Sequence, residues 1–276
     1  MLAKRLLIVF FTIIVIVALY NLPKVFVGND EELKAGSDGE SRDEVVEEAF
    51  IEQHTEEIAP EIEKKLNRFQ HDFNNAVNDQ LKLVLADSLS ILYTSIYRYD
   101  SAAEFRAVKA EIDPTVDHIE AAGEAYYEAL GFAMDKNKAA LLGVRARKYF
   151  NRILEVNPDR YDIKTKVGMT YISTDDPMRG INTLKEVIEQ DPENELALFN
   201  LGVLSVQSGQ YEKAIEWFKA LTKVNPQNLQ GQFYLGVSYF EKGEKDNAIK
   251  QFELVKSMES DPSVRATAES YLDVLL

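Results

Sequence analysis

The sequence predicts an all-α chain, a solenoid of stacked helical hairpins preceded by one N-terminal transmembrane helix. Three observations predict it. From residue 146 onward the chain repeats with a period of 34 residues. A run of aliphatic and aromatic residues, Leu6 to Tyr20, stands at the N-terminus with Thr12 as its only polar interruption. After residue 60, apolar residues recur at intervals of three and four, and no segment shows the strict alternation of a half-buried strand.

The N-terminal elements come first. Residues 1–5 are expected to lie in the cytoplasm, because Lys4 and Arg5 precede the run and basic residues are retained on that side. Residues 6–22 form the expected signal anchor, near the short end of what spans a bilayer, since about 20 apolar residues are the usual length. A cleaved signal peptide is the alternative. It lacks a small-x-small cleavage site, because Ala18-Leu19-Tyr20 ends in a bulky aromatic. Residues 23–60 read as an acidic linker. Between Gly28 and Glu63, 14 acidic residues face 2 basic ones, whereas Thr115 to Leu276 carries 25 against 19. Much of the acidity therefore belongs to a solvated, self-repelling tether.

Composition excludes several classes of function. A formal charge of −15 argues against a nucleic-acid partner, which needs clustered Lys and Arg. The absence of cysteine removes disulfides, thiolate catalysis and cysteine zinc sites.

Residues 61–160 read as degenerate or extended helical hairpins. Leu66, Phe69, Phe73, Val77, Leu81, Val84 and Ile91 share one face of an expected long helix that starts at Glu61 and runs to about Tyr97, with Ser88 its single polar member. Tyr99-Asp100-Ser101 is expected to break it. A second helix, Ala102–Ile112, ends at Asp113-Pro114, since the residue before proline is pushed from helical geometry. Helices over about Thr115–Met134 and Lys138–Val156 follow, joined at Asp135-Lys136-Asn137.

Residues 161–262 carry the repeat. Prolines recur at Pro158, Pro192 and Pro226, and Val167-Gly168 recurs as Leu201-Gly202 and Leu235-Gly236. Ala146, Gly180, Ala214 and Ala248 form a column of small residues, and Phe150, Leu184, Phe218 and Phe252 a column of large ones. Glycine lets two helices approach, the large residues fill the space between hairpins, and proline ends each second helix. Each hairpin leaves an apolar face open, so a last helix over residues 263–276 is expected to cap the stack.

This period, with its L-G-x2-Y, A-x3-F and P columns, resembles the tetratricopeptide repeat (TPR). The stretches Pro177-Met178-Arg179-Gly180-Ile181 and Phe199-Asn200-Leu201-Gly202-Val203, with the chain's layout, resemble single-span inner-membrane TPR proteins of Gram-negative bacteria. That resemblance implies a domain facing the periplasm and a protein or peptide partner. It also implies a groove lined by first-helix positions 2, 5, 9 and 12. Counted from Tyr161, Glu195 and Leu229, the apolar members are Met169, Ile172, Phe199, Val203, Val206, Phe233, Val237 and Phe240. The carboxylate clamp of TPR co-chaperones requires Lys and Asn on this face, and only Asn200 matches it. The groove either receives a partner or is filled by the chain's own helices or tether. Phe218, Phe252 and Trp217 instead read as helix packing.

No catalytic, metal or cofactor site is expected. His54, His71 and His118 lack ligand spacing, and no phosphate loop or nucleophile motif is present. The leading reading is a membrane-anchored TPR scaffold or adaptor. The alternative is a structural subunit of a stable cell-envelope complex with no transient ligand. The charge pattern around residues 6–22 predicts that a reporter active only outside the cytoplasm will work when fused after Leu276. Activity from a cytoplasm-restricted reporter at that site would reverse the topology.

Overall fold

Pro60 suits the first turn of a helix because its missing N–H belongs among the unbonded donors there. It opens α1 (Pro60–Asn74), followed by α2 (Asp79–Ser95), α3 (Tyr99–Ile112) and α4 (Val116–Gly131). The computed structural model describes residues 58–258 and 262–276. Residues 6–22 and the linker as far as residue 57 lie outside the described residues. The chain forms two units, Met1–Phe132 and Ala133–Leu276.

In the first unit the expected long helix is two helices. The Asn75 side-chain amide donates to the His71 carbonyl at 2.8 Å, and the Asn78 side chain accepts from the Leu81 N–H at 2.8 Å. One asparagine thus ends α1 and the other caps α2, without glycine or proline. The buried face also differs from expectation. Leu85, Ala86, Leu89 and Ser90 are buried on α2, whereas Leu81, Val84 and Ile91 are exposed. Tyr99-Asp100-Ser101, expected as a break, is the first turn of α3, and Tyr97 at φ 60° makes the turn before it. Helices α1 to α4 pack in sequence, each on the next. Phe105 joins three of them, meeting Phe73 edge-on at 5.4 Å and stacking on Tyr93 at 5.6 Å. Tyr99 stacks on Phe132 at 4.1 Å, and the Tyr126 hydroxyl donates to Glu104 at 3.0 Å.

The second unit contains α5 (Lys136–Val156), α6 (Tyr161–Ile172), α7 (Pro177–Gln190), α8 (Glu195–Gln207), α9 (Tyr211–Val224), α10 (Leu229–Lys242), α11 (Lys245–Ser257) and α12 (Pro262–Leu275). Helices α6–α7, α8–α9 and α10–α11 are the three hairpins, and α6, α8 and α10 also touch in series. Among the described residues there is no strand. Asn194 and Asn228 cap α8 and α10, accepting from the N–H groups of Ala197 and Gly231. The Asn225 and Asn228 amides both donate to the Glu195 carboxylate, at 2.9 and 3.0 Å, tying one repeat junction to the next.

Both packing columns are buried throughout: Ala146, Gly180, Ala214 and Ala248, and Phe150, Leu184, Phe218 and Phe252. The glycines explain why. A Cβ at Gly202 would lie 2.6 Å from the Phe218 ring, and one at Gly236 would lie 2.9 Å from Phe252. At Gly180 it would lie 2.5 Å from the Gly168 carbonyl oxygen. Helix α12 buries Ala268, Tyr271, Leu272 and Leu275 against α11, closing the apolar end of the stack.

These contacts predict that Gly202→Leu will cost about 1–3 kcal/mol or more through overpacking. Lys213→Ala, at an exposed site, will stay within about 0.5 kcal/mol. Equal melting temperatures for the two variants would refute the repeat register.

Candidate functional site: the first-helix row of the repeats

The row named from sequence lies on α6, α8 and α10, which adjoin one another in the second unit. None of its eight members is fully exposed. Met169, Ile172, Val203 and Val237 are buried, while Phe199, Val206, Phe233 and Phe240 are half-buried. The burial follows from helical geometry. Positions 5, 9 and 12 fall within about one turn of the glycine column, where helices approach most closely.

The three phenylalanines meet aromatic rings of the packing columns or of the capping helix. Phe199 lies edge-on to Phe218 at 6.1 Å and to Tyr234 at 5.7 Å. Tyr234 in turn stacks on Phe218 at 5.6 Å. Phe233 meets Tyr234, Phe252 and Tyr271 edge-on between 5.7 and 6.0 Å. Phe240 meets Tyr271 at 5.1 Å, and Tyr271 stacks on Phe252 at 4.6 Å. Aromatic contacts therefore run without interruption from α8 to α12. Such offset and edge-on pairs contribute about 0.5–1.5 kcal/mol each beyond the area they bury.

Sequence reasoning missed Tyr234 as part of this row. Its column holds Lys166 and Asn200 in the preceding repeats, so no recurrence marks it. Tyr271 lies on the helix expected to cap the stack, but its contact with Phe233 and Phe240 depends on how α12 docks. Burial pushes the Tyr271 phenol up to about 12, with Glu241 adding to the shift. Burial likewise raises Tyr234, with Tyr271 as the second cause. Both rings are neutral at physiological pH, so on α8 and α10 the row presents aromatic and aliphatic surface, while position 2 of the first repeat carries the Asp162 carboxylate, paired with Arg160 at 2.8 Å.

Two polar side chains in or beside the row are already engaged. The buried Asn200 amide donates to the Leu196 carbonyl at 2.7 Å, and the Thr165 hydroxyl donates to the Tyr161 carbonyl at 2.8 Å. The Asn200 amide that matches the carboxylate clamp therefore serves its own helix. Leu196, at position 2 of its repeat, is 39% exposed and forms the outer rim with half-buried Val206. Trp217 is half-buried on α9.

The histidines form no shared centre. His71 is exposed on α1, His118 contacts Asp113 on the first unit, and His54 lies outside the described residues. Among the described residues, no group of three His, Asp or Glu side chains could hold a metal ion.

Two family models match the chain, both described as tetratricopeptide repeat, over residues 174–232 and 206–263. Among curated proteins, none matches in sequence. A solved tetratricopeptide repeat protein from Parabacteroides merdae ATCC 43184 is similar at a TM-score of 0.50, 13% identical, with 78% of each chain covered. MamA 41-end from Desulfovibrio magneticus RS-1 aligns with a TM-score of 0.47 and 19% identity, covering 67% of this chain and 97% of that one. YrrB, described as a TPR protein with an unusual peptide-binding site, aligns with a TM-score of 0.44 and 17% identity, covering 73% of this chain and 97% of its own. At these identities the likeness concerns the fold. With the 34-residue columns and the hairpin packing described above, the family matches identify residues 174–263 as tetratricopeptide repeats.

Proposed function

We propose that this protein is a membrane-anchored scaffold whose repeats receive a protein or peptide segment outside the cytoplasm. The TPR fold itself suggests a protein–protein interaction scaffold, and the matching families are interaction repeats rather than enzymes. The finer reading rests on one observation. Phe199, Val206, Phe233 and Phe240 keep part of their apolar surface in water beside the exposed Leu196, on the two adjoining helices α8 and α10. An apolar, partly solvated strip of this kind suits the apolar side chains of a partner, whose burial would add to the contacts already made. Anchoring draws its support from the apolar run at residues 6–22 and the basic pair before it. Among the described residues, no helix is long and apolar enough to cross a membrane.

The test is a photocrosslinking scan in cells, with the crosslinker placed at Leu196 or Val206 on the row and at Lys185 or Lys223 on the second helices. Adducts with a discrete partner are expected from the first pair only. Leu196→Glu combined with Val206→Glu should abolish them while costing about 1 kcal/mol of stability. Phe218→Ala, which opens a cavity in the core, should cost about 3–5 kcal/mol. Equal adducts from both pairs of positions, or adducts that survive the double substitution, would move the binding surface elsewhere.

A further inference from the structure

We propose that Arg147, Tyr171 and Arg179 form a site for the carboxylates of an acidic peptide segment of a partner. The three residues stand on α5, α6 and α7 of the second unit. The site shares no residue with the row described above and stands independently of it. The Arg147 guanidinium lies 4.1 Å from the centre of the Tyr171 ring, and the Arg179 guanidinium lies 4.4 Å from the same centre. The ring attracts each cation but leaves their mutual repulsion in place. Among the described residues, neither guanidinium pairs with a carboxylate. The aspartates beside Arg179 in the chain are committed elsewhere. Asp175 pairs with Lys136 at 3.0 Å, and the Asp176 side chain accepts from the Arg179 backbone N–H at 3.2 Å.

Arg147 is fixed in place by its surroundings. Its Nη1 donates to the Thr170 carbonyl at 3.2 Å and to the Thr170 hydroxyl at 2.9 Å. That buried hydroxyl in turn donates to the Val167 carbonyl at 2.7 Å. Nε and Nη2 of Arg147 meet no acceptor among the described residues, and the exposed Arg179 guanidinium meets none either. Burial lowers the Arg147 pKa, and the Arg179 charge acts in the same direction. An anion bound here would relieve both effects. One arginine is thus held ready, the other is free to close on a ligand, and both keep donors to spare.

The surrounding charge selects the occupant. Residues 136–172 hold nine basic and three acidic residues, in a chain whose formal charge is −15. That local excess draws anions to a molecule that otherwise repels them. A single small anion gains little at a site this open, since ion pairs in contact with water are individually weak. A peptide carrying several carboxylates engages both guanidiniums at once, and the second contact follows at high effective concentration. Arginine at both positions suits this ligand, because its planar fork matches a carboxylate through two hydrogen bonds.

The test titrates the full-length protein, in mild detergent, into a fluorescent polyglutamate peptide and follows anisotropy. Saturable binding that weakens with added salt is expected, with none to a polyserine peptide. Arg147→Gln and Arg179→Gln should each weaken it about tenfold or more. Arg179 is exposed, so its variant should keep the melting temperature of the parent and decides the matter even where Arg147→Gln folds poorly. Lys213→Gln removes the same charge from α9 and should leave the affinity unchanged. Inorganic phosphate, at the concentration of the peptide, should not displace it. Equal weakening by Lys213→Gln and Arg179→Gln would overturn the proposal, since attraction would then be diffuse. Displacement by equimolar phosphate would overturn it in favour of a small-anion site, and so would the absence of saturable peptide binding.

Discussion

Glycine on the first helix of each hairpin lies against a large apolar side chain on the second, and the repeat architecture depends on that contact. Gly202 faces the Phe218 ring and Gly236 faces Phe252, at separations that leave no room for a methyl group. In the first hairpin the ring is replaced by Leu184, and Gly168 and Gly180 bring the two backbones together directly. The close approach buries the large column completely. It also fixes the rotation of α6, α8 and α10, and so decides which side chains turn outward.

The outward row inherits its character from that rotation. Phe199, Phe233 and Phe240 are not free-standing anchors, since each leans on a ring rooted in the core or the cap. This restricts their rotamers, so less side-chain entropy is lost when a partner covers the exposed edges. The same contacts mean that truncating these rings weakens both the fold and the surface. Substitutions at Leu196 and Val206 separate the two effects better, because those side chains sit at the rim.

Much of the second unit was legible because its packing recurs. A steric demand that returns every 34 residues leaves columns, and the columns named Gly202, Phe218, Ala214 and Pro226 without a structure. The first unit lacks that recurrence. Its apolar residues keep the same helical phase across the Asn75–Asn78 break, so one continuous helix was the natural reading, with Leu81, Val84 and Ile91 on the same face as Leu66. The asparagines carried the missing signal, as side chains that bond to nearby backbone and favour helix ends. The row on α6, α8 and α10 followed from the repeat count. Tyr234 and the docking of Tyr271 did not, because they are set by contacts that occur once.

The contact between Gly202 and Phe218 is the part of this account most open to direct measurement. A double-mutant cycle of Gly202→Ala and Phe218→Leu, read by denaturant unfolding, isolates it. The account predicts that the methyl group destabilises strongly opposite phenylalanine and much less opposite leucine, a coupling of about 1 kcal/mol or more. Effects that add to within about 0.3–0.5 kcal/mol would show that the two side chains do not meet as described.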